Sequence, residues 1–140
     1  MAAPVITIYT DGSSLGNPGK GGYGVVLISG PHRKELSAGF RLTTNNRMEL
    51  MAAIVGLEAL NRPCQVDLYS DSKYLTDAFN QHWIDSWLKH NWNRPKSGPV
   101  KNSDLWKRLL KAMELHQVQF FWVKGHDGHP ENERCDRLAT

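Results

Sequence analysis

The chain has few cysteines and no long hydrophobic segment. Only two of its 140 residues are cysteines, Cys64 and Cys135, and they lie apart with no CxxC spacing. Isolated thiols of this kind exclude a disulfide framework and give no sign of a zinc site. No apolar run approaches the length needed to cross a bilayer, and no basic region followed by a long apolar stretch opens the chain. We therefore expect reduced thiols, no membrane association and a cytoplasmic location.

The sequence also lacks a nucleotide-binding P-loop, although it has a glycine-rich stretch. The P-loop pattern places Ser or Thr after its lysine and leads into a helix. In "GNPGKGGYG" a glycine follows Lys20, and the next residues are typical of a strand. We expect the glycines to form a turn between strands and predict no ATP binding.

The net charge is small, because 17 basic and 14 acidic residues leave a formal charge of only +3. The distribution is nevertheless uneven. Segment 89–111 holds seven basic residues and one acid, Asp104, and so carries +6, while the rest of the chain carries −3. A local positive segment suits a polyanionic partner, but it also suits a solvated helix face. Charge alone leaves both interpretations open.

The hydrophobic periodicity changes several times along the chain. Alternation predicts strands over 5–10, 22–29 and 34–43, and two more in "QVDLYSDS" and "QVQFFWV". Helical spacing predicts a long helix in "TTNNRMELMAAIVGLEAL", further helices over 73–89 and 103–115, and a last one in "ENERCDRLAT". This order indicates an α/β fold with a five-stranded mixed sheet and helices on both faces. The length fits a single domain over residues 1–140.

Four carboxylates occupy unusual places in this arrangement. Asp11 and Asp71 each end an apolar strand, Glu49 lies in the first turns of the long helix, and Asp136 lies in the last helix. A single aspartate at a strand end is more often a turn former. Right-handed crossovers, however, place Asp11 and Asp71 on neighbouring parallel strands. Converging carboxylates repel one another unless a cation neutralises them, and an all-oxygen ligand set favours Mg²⁺ or Mn²⁺ over zinc.

Long motifs in this order resemble ribonuclease H of the bacterial type 1 family. They are "TDGSSLGNPGKGGYG", "TTNNRMELMAAIVGLEAL", "YSDSKYL", "DLWKRL" and "VKGHDGHPENERCDRLA", and they cover nearly the whole chain. The resemblance implies a ribonuclease H-like fold and endonucleolytic cleavage of the RNA strand of RNA/DNA hybrids, which leaves 5′-phosphate and 3′-hydroxyl ends. It also implies two Mg²⁺ ions, with Mn²⁺ as a substitute, held by the same four acids: Asp11, Glu49, Asp71 and Asp136.

The resemblance also implies further roles near these acids. His126 in "KGHDGHP" matches the family's mobile histidine, a proton shuttle or an aid to product release, although a loop histidine is more often incidental. A zinc pair with His129 is a weaker alternative, because no third ligand lies nearby. Glu49 inherits a contact to the RNA 2′-hydroxyl, which is one way to distinguish RNA from DNA.

Substrate contacts follow from the same resemblance. Those expected to meet sugars and base edges in the minor groove are Ser14, Asn17, Asn45 and Asn46. Thr44 and Asn102 match a pocket for a DNA phosphate, in which Leu42 replaces the usual arginine, and Lys73 stands where the family often has glutamine. The basic segment with its aromatic residues matches the protrusion that grips the DNA strand, through Trp83, Trp87, Lys89 and Trp92. Core packing is the competing interpretation of Trp83 and Trp87, which lie four residues apart.

Two classes of function remain to be distinguished. The first is a metal-dependent ribonuclease H that acts as a monomer on RNA/DNA hybrids. The second is a catalytically inactive module of the same fold that only binds the hybrid. A binding module has no need of all four acids, and all four are present. The sequence therefore favours the enzyme.

Overall fold

The computed structural model describes residues 5–94 and 96–124. Its main feature is a five-stranded sheet of β1 (Val5–Ser14), β2 (Gly19–Ser29), β3 (His32–Thr43), β4 (Gln65–Ser70) and β7 (Gln117–Trp122). The strands lie in the order β3-β2-β1-β4-β7. β1 pairs antiparallel with β2 and parallel with β4, which itself pairs parallel with β7. The predicted mixed sheet is therefore confirmed.

Four helices are described, and two of them begin with side-chain caps. The Thr44 hydroxyl accepts a hydrogen bond from the Arg47 N–H at the start of α1, and Ser72 accepts one from the Leu75 N–H at the start of α2. Such caps satisfy N–H groups that have no partner within the helix. The helices are α1 (Asn45–Glu58), α2 (Lys73–Asn80), α3 (Trp83–Lys89) and α4 (Ser103–Met113).

Several element boundaries differ from the sequence-based prediction. The helix predicted over 73–89 is two helices, because His82 adopts a left-handed conformation with φ 60° that an α-helix cannot continue through. The loop predicted after it contains a short ribbon of β5 (Asn93–Arg94) and β6 (Gly98–Pro99). β1 also continues past Asp11 as far as Ser14, where it pairs with Gly21 to Gly24 of β2.

The two faces of the sheet have different surroundings. One face carries Ile8, Leu68 and Phe120, which are buried beneath the helices. Gly56 of α1 lies directly over Ile8, and the Phe79 ring of α2 stacks on Phe120 at 4.2 Å between centroids. The segment predicted as a last helix, "ENERCDRLAT", lies outside the described residues, so a helix on the second face stays a prediction.

The second face carries a row of stacked aromatic rings. Tyr69 stacks on Tyr9 and on Phe121, with 5.1 Å between ring centroids in each pair. Aromatic pairs at this spacing stabilise neighbouring strands.

Among the helices over residues 5–94 and 96–124, none is long and apolar enough to cross a membrane.

Candidate active site

Asp11 and Asp71 are neighbours because their strands are parallel and in register. Thr10 of β1 pairs with Ser70 of β4, so the next residue of each chain segment is an aspartate. Asp11 lies within β1 and is buried, with 5% of its surface exposed, whereas Asp71 directly follows β4 and is half-buried. The predicted juxtaposition of these two acids is confirmed.

Glu49 reaches the same place because α1 crosses β1 at a glycine. A Cβ atom on Gly12 would lie 2.3 Å from the Met48 carbonyl carbon and 2.5 Å from the Glu49 nitrogen. Only a residue without a side chain allows this approach of helix and strand. The Gly12 N–H also donates a hydrogen bond to the Glu49 carboxylate. Gly12 therefore both admits Glu49 and orients it.

The three carboxylates form one cluster. One oxygen from each of Asp11, Glu49 and Asp71 lies within 4.8 Å of the other two. Burial, followed by the charges of Asp11 and Asp71, raises the pKa of Glu49 well above its ordinary value of 4.5. Glu49 Oε2 is buried and has no hydrogen-bond partner among the described residues. An unpartnered buried oxygen beside two further carboxylates fits a divalent cation with oxygen ligands.

The remaining two predicted catalytic residues are not described. Asp136 and His126 both lie in the segment 125–140, outside the described residues. Their assignment as a fourth metal ligand and as the mobile histidine therefore stays a prediction.

Six of the predicted substrate contacts line a single polar groove. The groove has a volume of about 540 Å³, and Lys101, which the sequence analysis did not single out as a site residue, lines it too. It combines the residues expected to meet sugars and bases with those of the expected phosphate pocket: Ser14, Asn17, Thr44, Asn45, Asn46 and Asn102. Leu42, which replaces the usual arginine, is 72% exposed and adds no charge there.

Asn17 is fixed in orientation at this groove. Its Oδ1 accepts hydrogen bonds from the Asn45 N–H at 2.9 Å and from the Ser14 hydroxyl at 3.0 Å. A backbone N–H can only donate, so the atom that faces it must be the amide oxygen. The Asn17 amide NH₂ is therefore the part of the side chain left to meet a ligand.

The predicted aromatic contacts divide into packed and exposed residues. Trp87 is half-buried and contacts both Trp92 and the fully buried Trp106, at 6.1 and 5.3 Å between centroids. The burial and ring contacts of Trp87 thus agree with core packing, which was the competing interpretation of this residue, and Trp92 packs against it. Trp83 is 40% exposed, and Lys89 is exposed at the end of α3. These two remain accessible for the predicted contact with nucleic acid.

Two contacts near the acids were not predicted from the sequence. The Trp122 indole N–H donates to the Asp71 carbonyl oxygen at 2.9 Å, and the Lys73 ammonium lies 4.6 Å from the centroid of the Trp122 ring. Trp122 is separated from Asp71 by 51 residues, so only the parallel pairing of β4 and β7 brings them together. Arg47, within the "NRMEL" motif, was also passed over although it contacts Asn102.

Comparison with known proteins agrees with this geometry. The family model described as RNase H matches residues 3–140. The chain is 63% identical to a ribonuclease H of Lachnoclostridium phytofermentans, over 96% of this chain and 89% of the relative, and 62% identical to one of Desulforamulus reducens, over 96% and 85%. The crystal structure of LC9-RNase H1, a type 1 RNase H with the type 2 active-site motif, superposes with a TM-score of 0.89 at 33% identity, covering 99% of this chain and 72% of that one.

These matches confirm the resemblance that the motifs indicated. Both the identity and the coverage are high, and the three clustered acids stand at the positions that the motifs specify. The chain belongs to the ribonuclease H family.

Proposed function

We propose that this ribonuclease H hydrolyses the RNA strand of RNA/DNA hybrids by two-metal-ion catalysis and leaves 5′-phosphate and 3′-hydroxyl ends. The proposed ligands of two Mg²⁺ ions, for which Mn²⁺ is a substitute, are Asp11, Glu49, Asp71 and Asp136. The observation that carries the proposal is the buried Glu49 Oε2, which has no partner in the described part of the chain and lies in a cluster of three carboxylates. An acid cluster of this kind is favourable only when its charge is neutralised.

Bound divalent ions would supply a lowered pKa for the attacking water and stabilisation of charge on the scissile phosphate and leaving oxygen. The chain's own residues determine where this chemistry takes place. The pairing of β1 with β4 brings Asp11 and Asp71 together, and Glu49 completes the cluster from α1. We assign to Glu49 a further contact with the RNA 2′-hydroxyl, a group that DNA lacks.

The groove beside the acids would orient the hybrid. The Asn17 amide NH₂ is available to donate to sugar and base acceptors, because its oxygen is already occupied. Thr44, Asn102 and Lys101 would hold a phosphate of the DNA strand, and Trp83 and Lys89 would contact that strand further along. Lys73, next but one to Asp71, would contact a phosphate near the acids.

Other assignments belong to the same proposal. His126 would move a proton or assist release of the cleaved product, because an imidazole can both accept and donate a proton. The protein would act as a monomer in the cytoplasm, with the RNA/DNA hybrid as its partner.

The decisive test is cleavage of a labelled RNA/DNA hybrid in Mg²⁺, in parallel with duplex RNA, duplex DNA and single-stranded RNA. Asp11→Asn should lower cleavage by about a thousandfold or more, because a metal ligand beside the reacting phosphate is lost. Binding of the hybrid should be kept or tightened, since a repulsive negative charge is removed.

A matched control is Asp67→Asn, which changes a half-buried aspartate on β4 outside the cluster. This variant should cleave like the parent. Comparable turnover in Asp11→Asn would overturn the metal assignment. Tight hybrid binding by the parent chain with intact RNA would instead establish the inactive binding module.

A further inference from the structure

The amide of Asn102 is held from two sides. The Arg47 guanidinium donates from Nη1 to Asn102 Oδ1 at 3.1 Å, and Asn102 Nδ2 donates to the Tyr74 hydroxyl oxygen at 3.2 Å. A guanidinium has donors only, so the atom that faces it must be the amide oxygen. The orientation of the Asn102 amide is therefore determined by Arg47 and supported by Tyr74.

The two supporting residues are themselves fixed by neighbours. Arg47 forms a bidentate ion pair with Asp104, with N···O distances of 3.1 and 2.9 Å, and this pair lowers the pKa of Asp104. Planar bidentate pairing restricts the guanidinium to one orientation. On the other side, the indole N–H of the fully buried Trp106 donates to the Tyr74 hydroxyl at 3.1 Å. The network thus joins α1, α2 and α4 around one side chain.

This arrangement leaves one specific group for a ligand. The Asn102 amide nitrogen carries two hydrogens, and Tyr74 accepts one of them. Asn102 lines the groove together with Thr44 and Lys101. Because the oxygen side of the amide faces the Arg47 guanidinium, the group left on the other side, among the described residues, is the second N–H of Nδ2. An N–H beside a lysine ammonium and a threonine hydroxyl suits an anionic acceptor such as a phosphate oxygen.

We propose that Arg47 and Tyr74 are positioning residues that orient the Asn102 amide so that its free N–H meets a phosphate oxygen of the substrate. This inference rests on the proposed function, in which Asn102 belongs to a phosphate pocket. Neither residue touches the substrate in this proposal. Each acts through Asn102, and the effect of each should therefore depend on the presence of Asn102.

The test is the steady-state kinetics of Arg47→Met and Tyr74→Phe on an RNA/DNA hybrid. Each variant should raise KM by about threefold to tenfold, as the loss of one ordinary hydrogen bond to substrate would. The kcat should stay near the parent value, because the three clustered acids are unchanged. Thermal unfolding of each variant establishes that it is folded at the assay temperature.

Arg108→Met is the matched control for Arg47→Met. Arg108 also links α4 to α1 through a bidentate ion pair, with Glu58 at 2.9 and 2.7 Å, and both arginines are partly exposed. Removing either pair weakens the same helix contact, but only Arg47 contacts Asn102. Arg108→Met should therefore leave KM unchanged, and an equal rise of KM in both arginine variants would overturn the inference.

A double-mutant cycle separates positioning from a direct contact. Asn102→Ala alone should raise KM, and adding Arg47→Met or Tyr74→Phe should raise it no further. A raised KM for Asn102→Ala with unchanged KM values for Arg47→Met and Tyr74→Phe would overturn the positioning inference alone. An unchanged KM for Asn102→Ala would overturn the phosphate contact of the proposed function and, with it, the positioning.

Discussion

Among the described residues, Glu49 is the one whose environment most strongly opposes its own charge. It is 3% exposed, it lies beside Asp11 and Asp71, and one of its oxygens has no hydrogen-bond partner in the described part of the chain. These three conditions favour the protonated carboxyl in the metal-free protein. A bound cation offsets the repulsion among the carboxylates and supplies the partner that Glu49 Oε2 lacks. The same features that destabilise the metal-free cluster are therefore those that fit it for metal binding.

This environment predicts an unusual pH dependence of stability. The folded-state pKa of Glu49 is raised above its ordinary value of 4.5, so between these two pKa values Glu49 holds its proton more firmly in the folded protein than in the unfolded chain. The contribution of Glu49 to the free energy of unfolding should therefore decrease as pH rises from 4.5 through the raised pKa. Urea unfolding in EDTA across this range measures the effect.

Two comparisons isolate the contribution of Glu49. Glu49→Gln should remove this part of the pH dependence and raise stability at neutral pH in EDTA. Added Mg²⁺ should stabilise the parent chain more than Glu49→Gln, because ligand binding to the folded state raises its stability. Identical pH profiles for the two proteins would contradict the prediction.

The sequence indicated which acids form the site, but it did not indicate which neighbouring side chains hold the site residues in place. Asp11, Glu49 and Asp71 could be predicted because a carboxylate after an apolar strand or beside an apolar helix stripe is conspicuous. Trp122 could not, because its hydrogen bond to the Asp71 carbonyl depends on the pairing of β4 with β7. Arg47 is an ordinary helix residue until Asn102 and Asp104 are seen beside it. Such contacts leave no local pattern in the sequence.

Among the elements, the crossing of β1 and α1 determines where the acids meet. The crossing is close enough that Gly12 has backbone atoms of Met48 and Glu49 within 2.6 Å of where a Cβ would lie. Backbone atoms cannot move aside as the end of a flexible side chain can. The strand and the helix would have to separate to admit even a methyl group, and Glu49 would move away from Asp11.

Gly12→Ala should therefore destabilise the protein by about 3 kcal/mol, as overpacking of a rigid contact does. Chemical unfolding measures this loss. Gly39→Ala is the control, because a Cβ at Gly39 of β3 would have its nearest neighbour at 3.8 Å, an ordinary contact. The control should be as stable as the parent or slightly more stable, since alanine restricts the unfolded chain. Equal stability of the two variants would contradict this account of the crossing.

Element boundaries were harder to predict than element types. The apolar spacing over 73–89 is helical on both sides of His82, so periodicity gave no sign that the backbone becomes left-handed there. The extension of β1 to Ser14 depends on pairing with Gly21 to Gly24 of β2, because residues 11–14 have no apolar alternation of their own. For β1, pairing with β2 decided what the local sequence left open.

At the scale of the whole molecule, the sheet topology brings the acids together, and the basic segment contributes a lysine to the groove of predicted substrate contacts. Asp71 lies 60 positions after Asp11, yet one oxygen from each of Asp11, Glu49 and Asp71 lies within 4.8 Å of the other two, because two parallel strands and one crossing helix converge. Lys101, from the basic segment 89–111, lines the groove that contains the predicted substrate contacts. The polyanionic partner that the charge pattern suggested is thus favoured over a purely solvated face.

Hybrid binding should accordingly be sensitive to salt, because each phosphate neutralised by a lysine releases counterions. Lys101→Ala should lower the slope of log affinity against log salt concentration by about one, as the loss of one phosphate contact does. Lys34→Ala is the matched control. Lys34 lies on β3 and pairs with Leu27 of β2, which is six residues from Gly21, the β2 residue that pairs with Ser14. Titrations over a range of KCl concentrations measure both slopes. An unchanged slope in Lys101→Ala would remove Lys101 from the interface.

The two hydrogen bonds accepted by Asn17 have a consequence for the base-sequence specificity of its proposed contact with the hybrid. With its carbonyl oxygen occupied by Asn45 and Ser14, the side chain has only hydrogens to offer and cannot receive one from the exocyclic amino group of guanine. In the minor groove every base pair presents lone pairs on purine N3 and pyrimidine O2. A side chain that can only donate to lone pairs meets the same pattern at every base pair, so Asn17 in its proposed role would contact the strand without distinguishing the base sequence.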